Sequence, residues 1–331
     1  MKMKRRIIVV ALCCMMLGIS ACGGEEEKEK VFSGEPITET ESISGGAGEE
    51  NVSVDINQSA SIDDAQGISV QEFFANGAQA SDFDHDYDAE LQASIDAIAS
   101  TSASVQEELA AVTKITEQFD KLAKAANTQS EMNMTAKWFY VIWDKELNSL
   151  WSRISSQADA QTKEQLLAEQ RNWVSMKEEV TLEYVGSSEE GGSIYPTLQF
   201  GFWEEITRNR VYVLANALCK IKGESFNMPE RAAKYGICVD NQGTGEVYSS
   251  LITHQSWEGA DEAIISIYRT GTIEGTFEDQ GNGKFAFTSY DEKIKGIITL
   301  KGWDGASFEV TEVSGESFVD AGETYDFGFA F

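Results

Sequence analysis

The apolar residues of this chain change rhythm near Asp240, and that change limits it to two kinds of structure. Before it, large apolar side chains recur every three or four residues. After it, they alternate. The first spacing puts a stripe on a helix, and the second puts a face on a strand. The helical period is carried in turn by Val105, Leu109, Val112, Phe119 and Leu122, by Ala136, Tyr140, Trp143, Leu147, Leu150 and Ile154, by Leu166, Trp173, Val180 and Tyr184, and by Ile206 and Val213. Ser104, Thr128 and Thr162 each precede a Glu or Gln by three residues, as in a capping box. Ser193 can cap a fourth helix, with Pro196 tolerated in its first turn. Lys220, Lys222 and Gly223 make a suitable stop. The pattern predicts a four-helix, mostly antiparallel bundle over 88–223, with its core at 128–218 and a connector over 224–240.

Over 241–331, strands are predicted at 246–253, 262–269, 272–277, 284–288, 293–300, 307–313 and 324–331. Turn residues such as Asp279-Gln-Gly-Asn-Gly283 separate them. Tyr325, Phe327, Phe329 and Phe331 alternate, which buries one face of the final strand. A small antiparallel β-sandwich or barrel follows, and the whole reads as a multidomain α + β protein. Trp257 and Trp303 are expected in core or edge packing.

Met1–Arg6 is basic, Ile7–Leu17 is apolar, and Ile19-Ser-Ala-Cys22 follows. This is the layout of a secretory signal, too short to span a membrane comfortably. The residues around Cys22 resemble a bacterial lipobox, which implies cleavage after residue 21 and a lipid on Cys22 that anchors the protein to the membrane, outside the cytoplasm. Residues 22–87 are rich in Glu, Ser, Gly and Ala, and are expected to be a disordered acidic tether. A coil of roughly 65 residues has a mean span of about 45 Å. The apolar patch Val70–Phe74 reads as a local cluster within it. The net charge of -29 excludes nucleic acid as a partner and favours basic proteins. Loss of Lys2, Lys4, Arg5 and Arg6 with the signal makes it more negative still.

Several polar residues stand in or beside the apolar stripes. Asp144 and Asn148 lie one turn apart, Gln170 and Lys177 interrupt the third stripe, and Thr207 and Arg210 sit in the last. Buried polar groups need partners, so one inter-helix network is predicted. In order, the chain carries Met132-Asn133, Trp143-Asp144 with Leu147 and Asn148, Gln170-Arg171 with Trp173 and Lys177, Gly191-Gly192-Ser193, and Thr207 with Arg210. This series resembles the LprI-type lysozyme-inhibitor domain over a quarter to a third of the chain. The resemblance implies a non-catalytic protein that binds lysozyme or another basic cell-wall hydrolase. Better-known members of that family carry cysteines at places that fall near Thr135, Thr181 and Phe202 here, so packing alone must hold this bundle.

Cys219 and Cys238 are left as either a disulfide, which export permits, or two free thiols. The two histidines, His85 and His254, support no catalytic triad, and no cysteine or histidine spacing fits zinc. Asp82–Asp88 alternates acids but lacks the glycine and closing glutamate of a calcium loop. No catalytic residue, metal or cofactor is assigned. An inhibitor and an envelope scaffold or cell-wall hydrolase are the competing functions. For an inhibitor, the element to enter a target's cleft is Gly191, Gly192, Ser193 and Tyr195. The competing role for Ser193 is the helix cap.

Overall fold

The computed structural model describes residues 70–231 and 234–331. Cys22, the signal segment and the tether up to residue 69 lie outside them. The described helices are α1 (Asp88–Thr101), α2 (Val105–Ala125), α3 (Gln129–Gln157), α4 (Ala160–Val185), the one-turn α5 (Ser188–Gly191) and α6 (Tyr195–Lys222). Four of them are long, and α1 precedes those four.

Two of the predicted caps form as expected. Ser104 accepts from Glu107 N, and Thr128 and Glu131 cap each other. The other two do not. Asp159, not Thr162, caps α4, accepting from the backbone of Gln161 and Thr162. A carboxylate three residues upstream outcompetes the threonine, whose hydroxyl instead donates to Asp159 Oδ2 at 2.7 Å. Ser193 lies in a 3-10 turn, Gly192–Ile194, and α6 starts without a side-chain cap.

Helices adjacent in sequence run antiparallel across short connections, whereas α3 and α6 run in the same direction. Thr197 reaches Asn133, and further along Trp203 lies 5.4 Å from the Tyr140 ring. Helix α3 is surrounded by α1, α2 and α6. It therefore buries Thr135, Trp138, Ile142, Trp143, Glu146, Leu147, Leu150 and Ile154, more than one stripe.

The last part of the expected tether, 70–87, packs onto the bundle. Phe73 and Tyr87 are buried, and both rings stand near Phe119 at 5.2 Å. Gln71 accepts from Ser94 Oγ at 2.9 Å. Phe83 and Tyr87 supply apolar anchors on either side of the exposed acids Asp84 and Asp86. The acidic composition hid these widely spaced aromatics.

Nine antiparallel strands follow: β1 (Gly236–Asp240), β2 (Ser249–Gln255), β3 (Asp261–Ile267), β4 (Gly271–Gly281), β5 (Lys284–Ser289), β6 (Ile294–Leu300), β7 (Ala306–Val313), β8 (Thr324–Phe327) and β9 (Phe329–Ala330). The order is β8-β7-β6-β5-β4-β3-β2-β1-β9. Since β8 and β9 are separated only by Gly328, the two edges of the sheet meet, and the sheet is a nearly closed barrel. Asn282-Gly283 forms the two-residue turn between β4 and β5, with φ of 57° and 72°. Phe277, Phe285, Phe287, Phe308 and Phe327 help fill the interior.

The expected connector ends in β1. Its central residues are buried on both faces, like those of β2, so both lack the alternation that marks β3 to β7. Ile237, Val239, Ile252 and Phe331 join the helical core, while Cys238 and Leu251 point into the barrel. Asn172 Nδ2 donates to Gly243 O at 3.0 Å, and Ser175 Oγ to Gly245 O at 2.9 Å. Helices and barrel thus share one core. Cys219 and Cys238 are both buried free thiols, since one belongs to the helical core and the other to the barrel interior.

Candidate functional site

The connection between α4 and α6 is built from small residues at a turn that leaves them little choice. Ser187 and Glu190 cap α5 reciprocally. A Cβ on Gly191 would come within 2.9 Å of Tyr195 Cβ, and Gly192 has φ 55°, ψ -137°, a conformation that favours glycine. Gly192, Ser193 and Ile194 are consequently exposed at the tip.

The tip is braced from below. Asn133 Nδ2 donates to Ser193 O at 3.2 Å, and Asn133 Oδ1 accepts from Thr197 Oγ1 at 2.6 Å and Gln129 Nε2 at 2.9 Å. The first turns of α3 and α6 are thereby tied to the loop. Asn133 is half of the Met132-Asn133 pair, so its signal was in the sequence, but its role needed the third dimension. Tyr195 is half-buried beneath Gly191, and its hydroxyl accepts from Gln199 Nε2 at 3.3 Å. Ile194, 44% exposed, is the apolar side chain presented outward.

The predicted polar residues form two groups, not one. Among the described residues no hydrogen bond joins them. Gln170 and Lys177 lie two turns apart on α4, about 10 Å along the axis, so they meet different levels of the bundle. In the first group Lys177 Nζ lies 4.4 Å from the Tyr140 ring centre and 4.3 Å from that of Trp203, and donates to the Tyr140 hydroxyl at 3.2 Å. That hydroxyl donates to Asp144 Oδ1 at 3.3 Å, and Asn148 Nδ2 donates to Asp144 Oδ2 at 3.2 Å. Tyr140 is therefore the bridge, although its place in the stripe reads as apolar. Burial pushes the Lys177 ammonium down to about 8, with Asp144 working against it, and raises the Asp144 carboxyl, with Lys177 working against it. The ring faces favour the cation.

The second group is Arg210 with Gln170: Nε donates to Oε1 at 2.8 Å. Burial lowers the Arg210 guanidinium to about 10, which leaves it charged at neutral pH. Thr207 is fully buried and its hydroxyl has no partner among the described residues, so it joins neither group. Trp143, Leu147 and Trp173 are buried in the core.

At the three places where the resemblance implies cysteines, buried side chains pack instead. Thr135 Oγ1 donates to Met132 O at 3.0 Å, Thr181 Oγ1 accepts from Trp203 Nε1 at 2.9 Å, and Phe202 stacks on Tyr184 at 4.8 Å. A third polar cluster escaped the sequence reading. Arg153 forms a two-pronged ion pair with the buried Glu108, and its Nη2 lies 3.8 Å from Glu146. Of the two tryptophans expected to pack, Trp303 does, donating to Pro229 O at 2.9 Å, whereas Trp257 stands 86% exposed on the β2–β3 turn. A tight hairpin turn offers a side chain no neighbouring layer.

These helices, with a braced glycine-rich tip and a half-buried lysine among aromatic rings, define a compact all-helical domain packed on a barrel. Residues 119–214 match the family model Lysozyme inhibitor LprI, so the chain carries an LprI lysozyme-inhibitor domain from late α2 to Leu214 of α6, followed by the barrel. No curated protein and no solved structure matches the chain.

Proposed function

We propose that this protein binds and inhibits lysozyme or another basic cell-wall hydrolase, and that the Gly192–Ile194 tip enters the target's cleft. The observation that carries this reading is an exposed, uncharged tip on a braced scaffold within the LprI domain. A strongly acidic chain speeds encounter with a basic enzyme, yet carboxylates fit poorly against a cleft lined with catalytic carboxylates. Ser193 supplies a hydroxyl donor and Ile194 an apolar contact. The family description supports a non-catalytic role. Export and a lipid on Cys22 place this action at the outer face of the cell membrane. That part rests on the sequence of residues 1–22.

The test is clearing of bacterial cell walls by lysozyme with increasing amounts of the purified chain. An inhibitor slows clearing in proportion to its amount. The double substitution Ser193→Ala with Ile194→Ser should lose most of that effect at unchanged circular dichroism, through faster dissociation of the complex. A chain that clears walls alone is an enzyme, one that does nothing is a scaffold, and a folded tip variant that inhibits like the parent removes the tip from the interface. In cells, Cys22→Ala should release the protein from the membrane fraction. Continued fractionation with lipid would overturn the anchor.

A further inference from the structure

The antiparallel order sends the connections of the barrel alternately to its two ends. Residues 241–248, 268–270, 290–293 and 314–323 form one rim, and 256–260, 282–283, 301–305 and 328 form the other. Exposed aromatic side chains are divided unevenly between them. Tyr268, Tyr290 and Phe318 stand 42%, 51% and 47% exposed on the first rim, against Trp257 alone among the described residues of the second. The three surround the start of β4. The Tyr268 ring meets that of the half-buried Tyr248 at 4.9 Å, the Phe318 ring lies on Gly271, and Tyr290 N donates to Glu274 O at 3.0 Å. Large apolar side chains left in water forgo the stabilisation of burial, and a cluster of them marks an interaction surface. Charge separates the two rims as well. The connections of the aromatic rim carry Glu246, Asp291, Glu292, Glu316, Asp320 and Glu323, all exposed, against Arg269 and Lys293. Those of the other rim carry Glu258 and Asp304 against Lys301. Arg269 shows the contact that the aromatic rim can make, since its guanidinium lies 4.8 Å from the Tyr268 ring centre.

We propose that the aromatic rim docks an arginine-bearing segment of a basic protein, with guanidinium groups against the rings of Tyr268, Tyr290 and Phe318 and ion-paired to the surrounding carboxylates. Aromatic side chains at the centre of a polar border are the composition of a protein interface. Arginine suits this surface better than lysine, because a guanidinium is less strongly hydrated and stacks on rings. The excess of carboxylates works against a second copy of this chain, whose rim carries the same charge, and against an anionic lipid surface. The rim is separate from the tip. Asn172 and Ser175 of α4 hold the 241–248 connection, whereas the tip lies beyond Val185 at the end of that helix, about 15 Å further along the axis. The proposal therefore does not rest on lysozyme inhibition.

The probe is a fluorescein-labelled peptide of alternating glycine and arginine, with the equally charged glycine–lysine peptide beside it. Each is titrated with the full chain at about 0.15 M salt and followed by anisotropy. The arginine peptide should bind with a Kd of about 100 µM or below, and the lysine peptide at least about threefold more weakly. Tyr268→Ser, Tyr290→Ser and Phe318→Ser together keep every charge and should weaken binding by about tenfold. Since Phe318 packs on Gly271, Tyr290→Ser alone serves if the triple variant does not fold as the parent does, with a loss of about threefold. Glu246→Lys with Glu316→Lys should also weaken binding by about tenfold, whereas Glu258→Lys with Asp304→Lys, the same change of charge on the other rim, should leave it within about twofold. The proposal is overturned if the arginine peptide does not bind at about 0.5 mM chain, if the lysine peptide binds as well, if a folded aromatic variant binds undiminished, or if the two charge reversals weaken binding alike. Rim-dependent binding of chitohexaose, or rim-dependent dimers in sedimentation, without peptide binding would also overturn it and give the rim to a glycan or to a second copy.

Discussion

Glu146 lies at the middle of α3 with no exposed surface, and among the described residues neither carboxyl oxygen has a hydrogen-bond partner of ordinary geometry. Burial, and then the charge of Glu108, push its carboxyl well above the usual carboxylate range. The folded state therefore holds a proton that the unfolded state releases as pH rises past the ordinary glutamate value. Stability is lost over that window, between the ordinary and the raised pKa. Glu146→Gln should stabilise the protein at pH 7 by about 1–3 kcal/mol, and the gain should shrink as pH falls toward the ordinary glutamate pKa. Denaturant titrations of parent and variant across this range check it. Removing Arg153 instead leaves Glu108 buried without its partner. None of this was legible in the sequence. Glu146 reads as a solvent-facing residue because a stripe assumes one wet face, and α3 has helices around it.

At the level of elements, local chemistry was legible and long-range burial was not. Ser104 and Thr128 cap where their spacing indicates, and Gly223, with φ 71°, ends α6 behind Lys220 and Lys222. Alternation found β3 to β7, because those strands keep interior and exterior faces for most of their length, and the apolar run of β2 was found although that strand is buried on both faces. Alternation missed β1, whose outer face rests on the helices. The tip residues were found together, but Tyr195 and Ile194 exchange the roles of outward anchor and internal brace, a matter of which way the helix turns as it begins. The start of α4 gives a direct check. Asp159→Ala should lower the urea midpoint at unchanged slope. Thr162→Ala removes only the hydroxyl that steadies Asp159 and should cost less.

For the whole molecule, the shared core decides how it comes apart. Ile237, Val239, Ile252 and Phe331 are buried among helical side chains, so neither part can unfold without exposing the other. One cooperative transition is expected, with helical circular dichroism and tryptophan emission changing at the same urea concentration. Two separated midpoints would mean independent domains. The seam of the barrel has a consequence in time. Cys238 pairs with Ala330 across nearly the whole length of the barrel segment, and β7 receives β8 only a few residues earlier in the chain. A polypeptide made from its N-terminus keeps both rims of the sheet open until this short segment arrives. Pairing over so long a separation is slow, and open rims invite neighbours. The same few residues can seal the ring of another copy, so crowded refolding should yield strand-exchanged dimers, while dilute refolding should yield monomers.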